Sequence, residues 1–255
     1  MARPGPLTPR IDVNPLGGPV VHLAVTGSTN DRARELAEAG APHGTVVLAE
    51  EQIAGRGRQG RSWVAPPGRA LTLSIVVRLD GRTLELLPLS TAVAVCEACE
   101  RAASVACLIK WPNDVLIDGR KVAGILIEAR PQEGWAVLGI GLNVDTREVE
   151  VDVEIRETAT SLRIASGGSV DREVALESLL KRLAEWLRTD RDSLLAAYRE
   201  RDALDGSEVA WSDPDGALEG RAEGIDDDGN LVVLTPDGER RTLTAGEVHL
   251  VRRAG

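Results

Sequence analysis

Four apolar runs follow one another between residues 107 and 144: CLIKW, DVLID, KVAGILIEA and WAVLGIGLNV. Short turns such as Asp118-Gly119 link them. Strands joined that tightly have no room for a crossover helix and must pair antiparallel, so the stretch predicts a meander. The rest of the chain then has a sheet to extend and cover. VVHLAVT (20–26), TVVLAEE (45–51) and ALTLSIVVRL (70–79) read as further strands. After the first of these, Ser28 and Asp31 stand in capping-box spacing ahead of the helix-forming DRARELAEAG, which Gly40 stops. LPLSTAVAVCEACERAA reads as a helix buried along most of its length, and two amphipathic helices are predicted from about Asp171 to Leu187 and from about Arg191 to Ala203. The expected class is α+β, a mixed or antiparallel sheet with helices covering one face.

The two ends differ from this middle. Residues 1–19 contain Pro4, Pro6, Pro9, Pro15 and Pro19, which excludes a helix-turn-helix there. After Leu204-Asp205-Gly206 the chain becomes short strands separated by Asp-Gly and Pro-Asp-Gly turns, as in a small all-β barrel. The division expected is a proline-rich segment 1–19, a main domain 20–204 and a barrel 205–255. From Gly206 onward eleven acids face five arginines, so the barrel is a poor candidate to grip RNA or DNA.

The whole chain carries a net charge of −10, which argues against general binding to nucleic acid or anionic membrane. No apolar run is long enough to span a bilayer and no signal-peptide pattern opens the chain. Cys96, Cys99 and Cys107 are odd in number and lie in apolar surroundings, so they read as buried thiols in a reducing cytoplasm rather than as a redox pair or metal site.

Against that acidic background, AGRGRQGRSWVAPPGR (54–69) carries Arg56, Arg58, Arg61 and Arg69 and no acid. Gly55, Gly57 and Gly60 reproduce the G-x-G-x-x-G spacing of dinucleotide folds. However, that motif must open into a helix, and Pro66-Pro67-Gly68 cannot propagate one. What remains is a glycine loop whose amides can approach a polyanion and whose guanidinium groups can bind phosphate or carboxylate. Trp63 adds a stacking face for a purine. A solvated arginine loop with a buried Trp63 is the plainer alternative. Repulsion among the arginines and the freedom of the glycines predict that the loop is mobile without ligand.

The second such segment is KWPNDVLIDGRKVAGILIE (110–128). It holds Lys110 and Lys121, two of only three lysines in the chain. Pro112 ends a strand and presents Asn113 and Asp114 at its tip. A carboxylate beside an anion-binding loop implies a divalent cation shared with phosphates, which points to Mg²⁺ at Asp114, unless Asp114 only caps the turn. Gly124 interrupts one β-branched run, and Gly139 and Gly141 interrupt the next, which ends at Asn143. Glycine gaps on neighbouring strands would line a narrow apolar slot. His22, His43 and His249 are isolated, and no phosphate loop, nucleophile elbow or metal-binding histidine pair exists. The chemistry this leaves is charge neutralisation and positioning, as in nucleotidyl transfer.

Taken together, GSTND (27–31), GRGRQGRSW (55–63), KWPNDVLIDGRKVAGILIE (110–128) and GIGLNV (139–144) resemble the biotin protein ligases, in family order and over most of the chain. The resemblance implies a class II synthetase-like catalytic domain with a C-terminal SH3-like barrel. It implies activation of biotin by Mg-ATP to biotinyl-5′-AMP, then transfer to a lysine of a biotin carboxyl carrier domain. By motif position, Ser28, Thr29 and Gln52 would bond the ureido ring, with Gly124, Gly139 and Gly141 lining the biotin slot. Arg58 and Lys121 would be the catalytic cations at the carboxylate and α-phosphate, with the glycine amides and Arg56 ordering the loop and Arg56 also a contact for both biotin and ATP. Gly57, Arg61, Trp63, Lys110, Asn113 and Asn143 would serve the nucleotide, and Asp114 the metal. The chain resembles the short form without a DNA-binding domain, so DNA regulation is not expected. Monomer and weak dimer both stay open, as do a lipoate or octanoate ligase on a related fold and a non-enzymatic anion-binding module.

Overall fold

The computed structural model describes residues 14–79, 84–213, 216–244, 246 and 248–251, so the expectation for residues 1–13 falls outside it. Seven strands make one mixed sheet: β1 (Val20–Thr26), β2 (Val46–Gln52), β3 (Ala70–Arg78), β4 (Leu108–Lys110), β5 (Asp114–Ile117), β6 (Arg120–Arg130) and β7 (Trp135–Asn143). Their order across the sheet is β1-β2-β3-β7-β6-β5-β4. β4 to β7 form the predicted meander, every neighbouring pair antiparallel. β1 and β2 are parallel, and α1 (Thr29–Glu38) supplies the crossover that a parallel pair needs.

The two faces of the sheet bury different partners because side chains alternate along each strand. Leu71, Leu73, Ile75 and Val77 of β3 and Leu138, Ile140 and Leu142 of β7 face the main core. There they meet α2 (Leu87–Ala103), eleven of whose 17 residues are buried, together with α3 (Leu162–Ser166), α4 (Arg172–Trp186) and α5 (Arg191–Arg199). Cys96, Cys99 and Cys107 are free and buried in this core. Val76 and Val137 point the other way and pack with Val47 and Trp135 on Ala33 and Ala37 of α1. The expectation that helices cover one face therefore needs correction. Alanines at i and i+4 give α1 a flat apolar stripe that lies on the second face. Its first turn is thereby laid beside the polar and glycine positions of β3 and β7.

After α5, five strands form an antiparallel sheet in the order β11-β10-β9-β8-β12, the expected SH3-like unit: β8 (Glu208–Asp213), β9 (Gly216–Ile225), β10 (Leu231–Leu234), β11 (Arg240–Leu243) and β12 (Val248–Leu250). Its apolar residues Val209, Trp211, Ile225 and Leu231 belong to the same buried cluster as α2. Trp111 Nε1 donates to Gly229 O at 3.0 Å across the boundary. Two sheets thus share one core.

Arg69, at the end of the arginine loop, is tied into this frame. Asp145, just after β7, accepts from Arg69 (2.8 Å), Arg163 (2.9 Å), Ser169 Oγ (2.9 Å) and the Val170 amide (3.2 Å). Burial alone pushes the Asp145 carboxyl up, but the bonds from Arg163, Ser169 and Val170 outweigh it and hold it below its ordinary value. A depressed carboxyl contributes stability that is complete above the unfolded value of about 3.9 and is lost as pH falls through the folded one. We expect Asp145→Asn to cost roughly 2 kcal/mol at pH 7, where a charge-assisted network is broken. The difference from the unsubstituted protein should shrink below about pH 4 in thermal unfolding followed by circular dichroism.

Candidate active site

The second face of the sheet has a gap floored by backbone. Asp114, Gly124, Gly141, Thr72 and Ala49 are successive Cα partners across β5, β6, β7, β3 and β2. On the neighbouring rung Leu126, Gly139, Ser74 and Val47 are partners. Glycines at the centre of both rungs remove the side chains that would otherwise fill the space, which leaves the slot that the paired glycine gaps predict. A Cβ on Gly139 would overlap the Asn30 amide, and one on Gly141 would overlap the Trp63 indole. At Gly124 it would lie 3.0 Å from Lys121 Cε and 3.3 Å from Trp63 Cζ3.

Polar groups close one end of the trough. Thr29 donates to Gln52 Oε1 from its amide (2.7 Å), and its hydroxyl lies 3.0 Å from the same oxygen, so the Gln52 NH₂ is left to face the trough as a donor. Ser74 Oγ sits 2.8 Å from Thr29 Oγ1 and 2.6 Å from Asn30 Oδ1. The amide oxygen of Asn30 can only accept, so Ser74 gives its proton there. Ser28 occupies the N-cap position of α1 but its hydroxyl makes no capping bond, contrary to the capping-box expectation, and it lines the trough instead.

The other end is cationic. Residues 55–63 form a small hairpin: Gly57 N donates to Arg61 O (2.7 Å), Trp63 N donates to Gly55 O (2.9 Å), and Arg56 bridges to Ser62. Its turn over Arg58–Gly60 places Gln59 at φ 54° and Gly60 at φ 75°, a left-handed conformation that suits glycine at the second position. The dinucleotide reading fails here as expected, since no helix follows. Arg58 Nη1 donates to Asn113 Oδ1 (2.8 Å), Asn113 Nδ2 donates to Asp114 Oδ1 (3.0 Å), and Lys121 Nζ lies 2.6 Å from that same oxygen. Two cations are thereby held apart by an amide and a carboxylate. Repulsion among the arginines does not govern this loop. Arg56 pairs with Asp31 and Glu128, and Arg69 pairs with Asp145 and Glu150.

Trp63 lies between two cavities. On one side, about 50 Å³ remains among Ser28, Thr29, Gln52, Gly124 and Gly139. On the other, about 110 Å³ is lined by Arg61, Lys110, Asp114 and Lys121, closed by Gly246 and Val248 of the C-terminal sheet. The first is small beside an organic ligand, and the indole forms one of its walls. Lys121 Nζ stands 5.9 Å from the Trp63 ring centroid, and Trp63 Nε1 is buried without a partner. A larger cleft of about 550 Å³ runs outside, past Gly57, Asn113, Leu126 and Thr244.

Ser28, Thr29, Gln52, Arg56, Gly57, Arg58, Trp63, Asn113, Lys121, Gly124, Gly139 and Gly141 all line the trough, with Arg61, Lys110 and Asp114 in the adjoining cavity. Asn143 lines neither. It lies one rung beyond Gly141 on the same face, and its amide donates to Thr160 O at 3.0 Å. Asn113 stands in the turn between β4 and β5, and Asp114 opens β5 rather than ending a strand. Asn30, Ser74 and Glu128 were given no role by the sequence reading, and Asp31 only a capping one. Thr72 and Ser74, polar at i and i+2 in an otherwise apolar strand, were the available signal for a polar face.

Among known proteins, the Biotin/lipoate A/B protein ligase family matches residues 22–145, and the Biotin protein ligase C terminal domain matches residues 206–251. The biotin–[acetyl-CoA-carboxylase] ligase of Mycobacterium tuberculosis is 38% identical over 239 residues, covering 89% of this chain and 86% of that protein. The chain belongs to the biotin/lipoate A/B protein ligase family. Within that family its structure is similar to the biotin protein ligase from Aquifex aeolicus in complex with biotin and ATP, with TM-score 0.81 and 30% identity over 92% of this chain and 99% of that one. It is also similar to the Leishmania major biotin protein ligase in complex with biotinyl-5-AMP, with TM-score 0.60 and 25% identity over 89% and 98% of the two chains.

Gly141→Ala should fold and expel the indole. Iodide quenching of tryptophan fluorescence should rise, and the rise should vanish when Trp63 is also replaced by Phe; unchanged quenching would mean that the indole does not rest on Gly141.

Proposed function

We propose that the protein is an ATP-dependent biotin protein ligase whose catalytic unit is residues 20–204 and whose C-terminal unit is 205–255. One observation carries the reading: a single trough has hydrogen-bonding groups at one end and two spaced cations, Arg58 and Lys121, at the other. A ligand that is a neutral cyclic urea at one end and a carboxylate at the other fits that polarity. Ser28, Thr29 and the Gln52 NH₂ meet the ureido ring, and Arg58 and Lys121 meet the carboxylate.

In the first step a carboxylate oxygen attacks the α-phosphorus of ATP, the bond to the β-phosphate oxygen breaks, and pyrophosphate leaves. Two anions must approach each other, so fixed positive charge that needs no reorganisation lowers the barrier. Lys121 and Arg58 supply it, with Gly57, Arg61, Lys110 and Asn113 along the triphosphate and Trp63 between acyl group and adenine. Asn143 stands near the adenine end through its place beyond Gly141. In the second step a lysine amine of a biotin carboxyl carrier domain attacks the acyl carbon, AMP leaves, and the nitrogen gives up its proton.

Mg²⁺ would be held by Asp114, the carboxylate that pairs with Lys121 and accepts from Asn113. A single carboxylate fits an ion whose remaining ligands are triphosphate oxygens and water. Bound there, Mg²⁺ would neutralise phosphate charge. The free buried cysteines fit a cytoplasmic enzyme, and no helix among the described residues is long and apolar enough to cross a membrane.

A lipoate substrate would leave the buried hydroxyls and the Gln52 amide unpaired, which disfavours it. Calorimetry should show heat for biotin and none for lipoate at equal concentration; the reverse would overturn the substrate assignment. Lys121→Ala should fold but lose biotin-dependent pyrophosphate release by about 10²- to 10³-fold, the scale for removing one donor to a developing charge. Near-normal release would remove Lys121 from the reaction.

A further inference from the structure

We infer that Glu128, at the far end of β6, is a positioning residue that clamps the arginine hairpin to the first turn of α1. The inference rests on the biotin ligase reading for its consequence in catalysis, though not for its geometry. Asn30 Nδ2 donates to Glu128 Oε2 at 2.7 Å, and Arg56 Nη2 reaches the same carboxylate at 3.3 and 3.4 Å. That Arg56 nitrogen carries a second hydrogen, which goes to Asp31 Oδ1 at 2.7 Å. Hairpin, helix and sheet thus meet at one carboxylate.

Each partner of Glu128 is committed from the other side. Asn30 is buried at 4% exposure, with its oxygen on Ser74 and its side chain seated over Gly139. Its NH₂ therefore points at Glu128. Asp31 has a second cation, Arg34, at 3.0 Å, so it does not depend on Arg56 for charge balance. Arg56 itself faces acids rather than the cationic end of the trough. It is better read as the hairpin's fastener than as a ligand for carboxylate or phosphate, the role that its motif position implies.

The consequence is geometric. The hairpin carries Arg58 and Trp63, while α1 carries Ser28 and Thr29, so the clamp sets the distance between the ureido end and the charged end of one ligand. Tight retention of a reactive mixed anhydride needs both ends held together. The ion pair itself is half-exposed, with side chains 40% and 32% accessible, and contributes little to folding. Its loss should be read on ligands rather than on the melting temperature.

Glu128→Gln keeps an acceptor for Asn30 and removes the charge that holds Arg56. The expected result is an unchanged melting temperature, a rise of about 10-fold in biotin KM and in biotinyl-adenylate release rate, and kcat at saturation within about 3-fold. Glu128→Asp should recover part of the loss. Arg56→Ala combined with Glu128→Gln should be no worse than Arg56→Ala alone, because the two act through one contact. Multiplying effects, or unchanged KM and release rate, would overturn the proposal. Amide hydrogen exchange of residues 55–63 without ligand should also quicken in Glu128→Gln, and equal exchange would refute the clamp. If the unsubstituted protein releases no pyrophosphate with biotin and ATP, the ligase reading fails, and the exchange experiment still decides the clamp.

Discussion

A sheet covered on both faces has space for a ligand only where side chains have been removed from it. Here that is the alignment of Gly124 with Gly141, and of Gly139 with Ser74, across β6, β7 and β3. Everything else in the site is arranged around that bare patch. The meander fixes the register that brings the glycines level, α1 lies beside it because its alanines fit the second face, and the hairpin folds Trp63 onto it. A shift of one residue in either strand would turn the glycines into the main core and point Leu142 and Ile140 at the ligand.

Charge is handled by the same economy. An acidic chain cannot leave several guanidinium groups bare near one another without cost, and the structure gives each of three loop arginines a separate partner. Arg69 is absorbed by Asp145 as a structural tie, Arg56 by the carboxylates of Asp31 and Glu128, and Arg58 by the neutral amide of Asn113. The Asn113 amide to which Arg58 donates carries no charge of its own. Lys121 differs, since it pairs with the Asp114 carboxylate.

Much of this was legible in the sequence because it depends on local chemistry. The meander, the buried helix α2, the loop and the paired glycine gaps follow from periodicity and from residues with no substitute. The parallel β1–β2 pair was not legible, since nothing in either strand records which edge it joins. Arg69 could not be separated from the other loop arginines in the sequence, because its partner, Asp145, is distant in sequence and unremarkable in type. Glu128 and Ser74 were missed for a related reason. A single glutamate at the end of a strand has no local signature, and its meaning arises only when α1 and the hairpin arrive beside it. Ser28 shows the opposite failure, a residue in capping position whose hydroxyl is not spent on the cap.

The continuity of apolar packing from α2 into the C-terminal sheet reaches beyond folding. Gly246 and Val248 stand at the wall of the cavity lined by Arg61, Lys110 and Asp114, beside the packing that buries Trp211, Ile225 and Val248. The tail sheet is therefore not a passenger that evolution or an engineer can exchange freely. A graft from a relative would have to keep the seam at Trp111 and Gly229 if its own residues are to stand where Gly246 and Val248 wall that cavity.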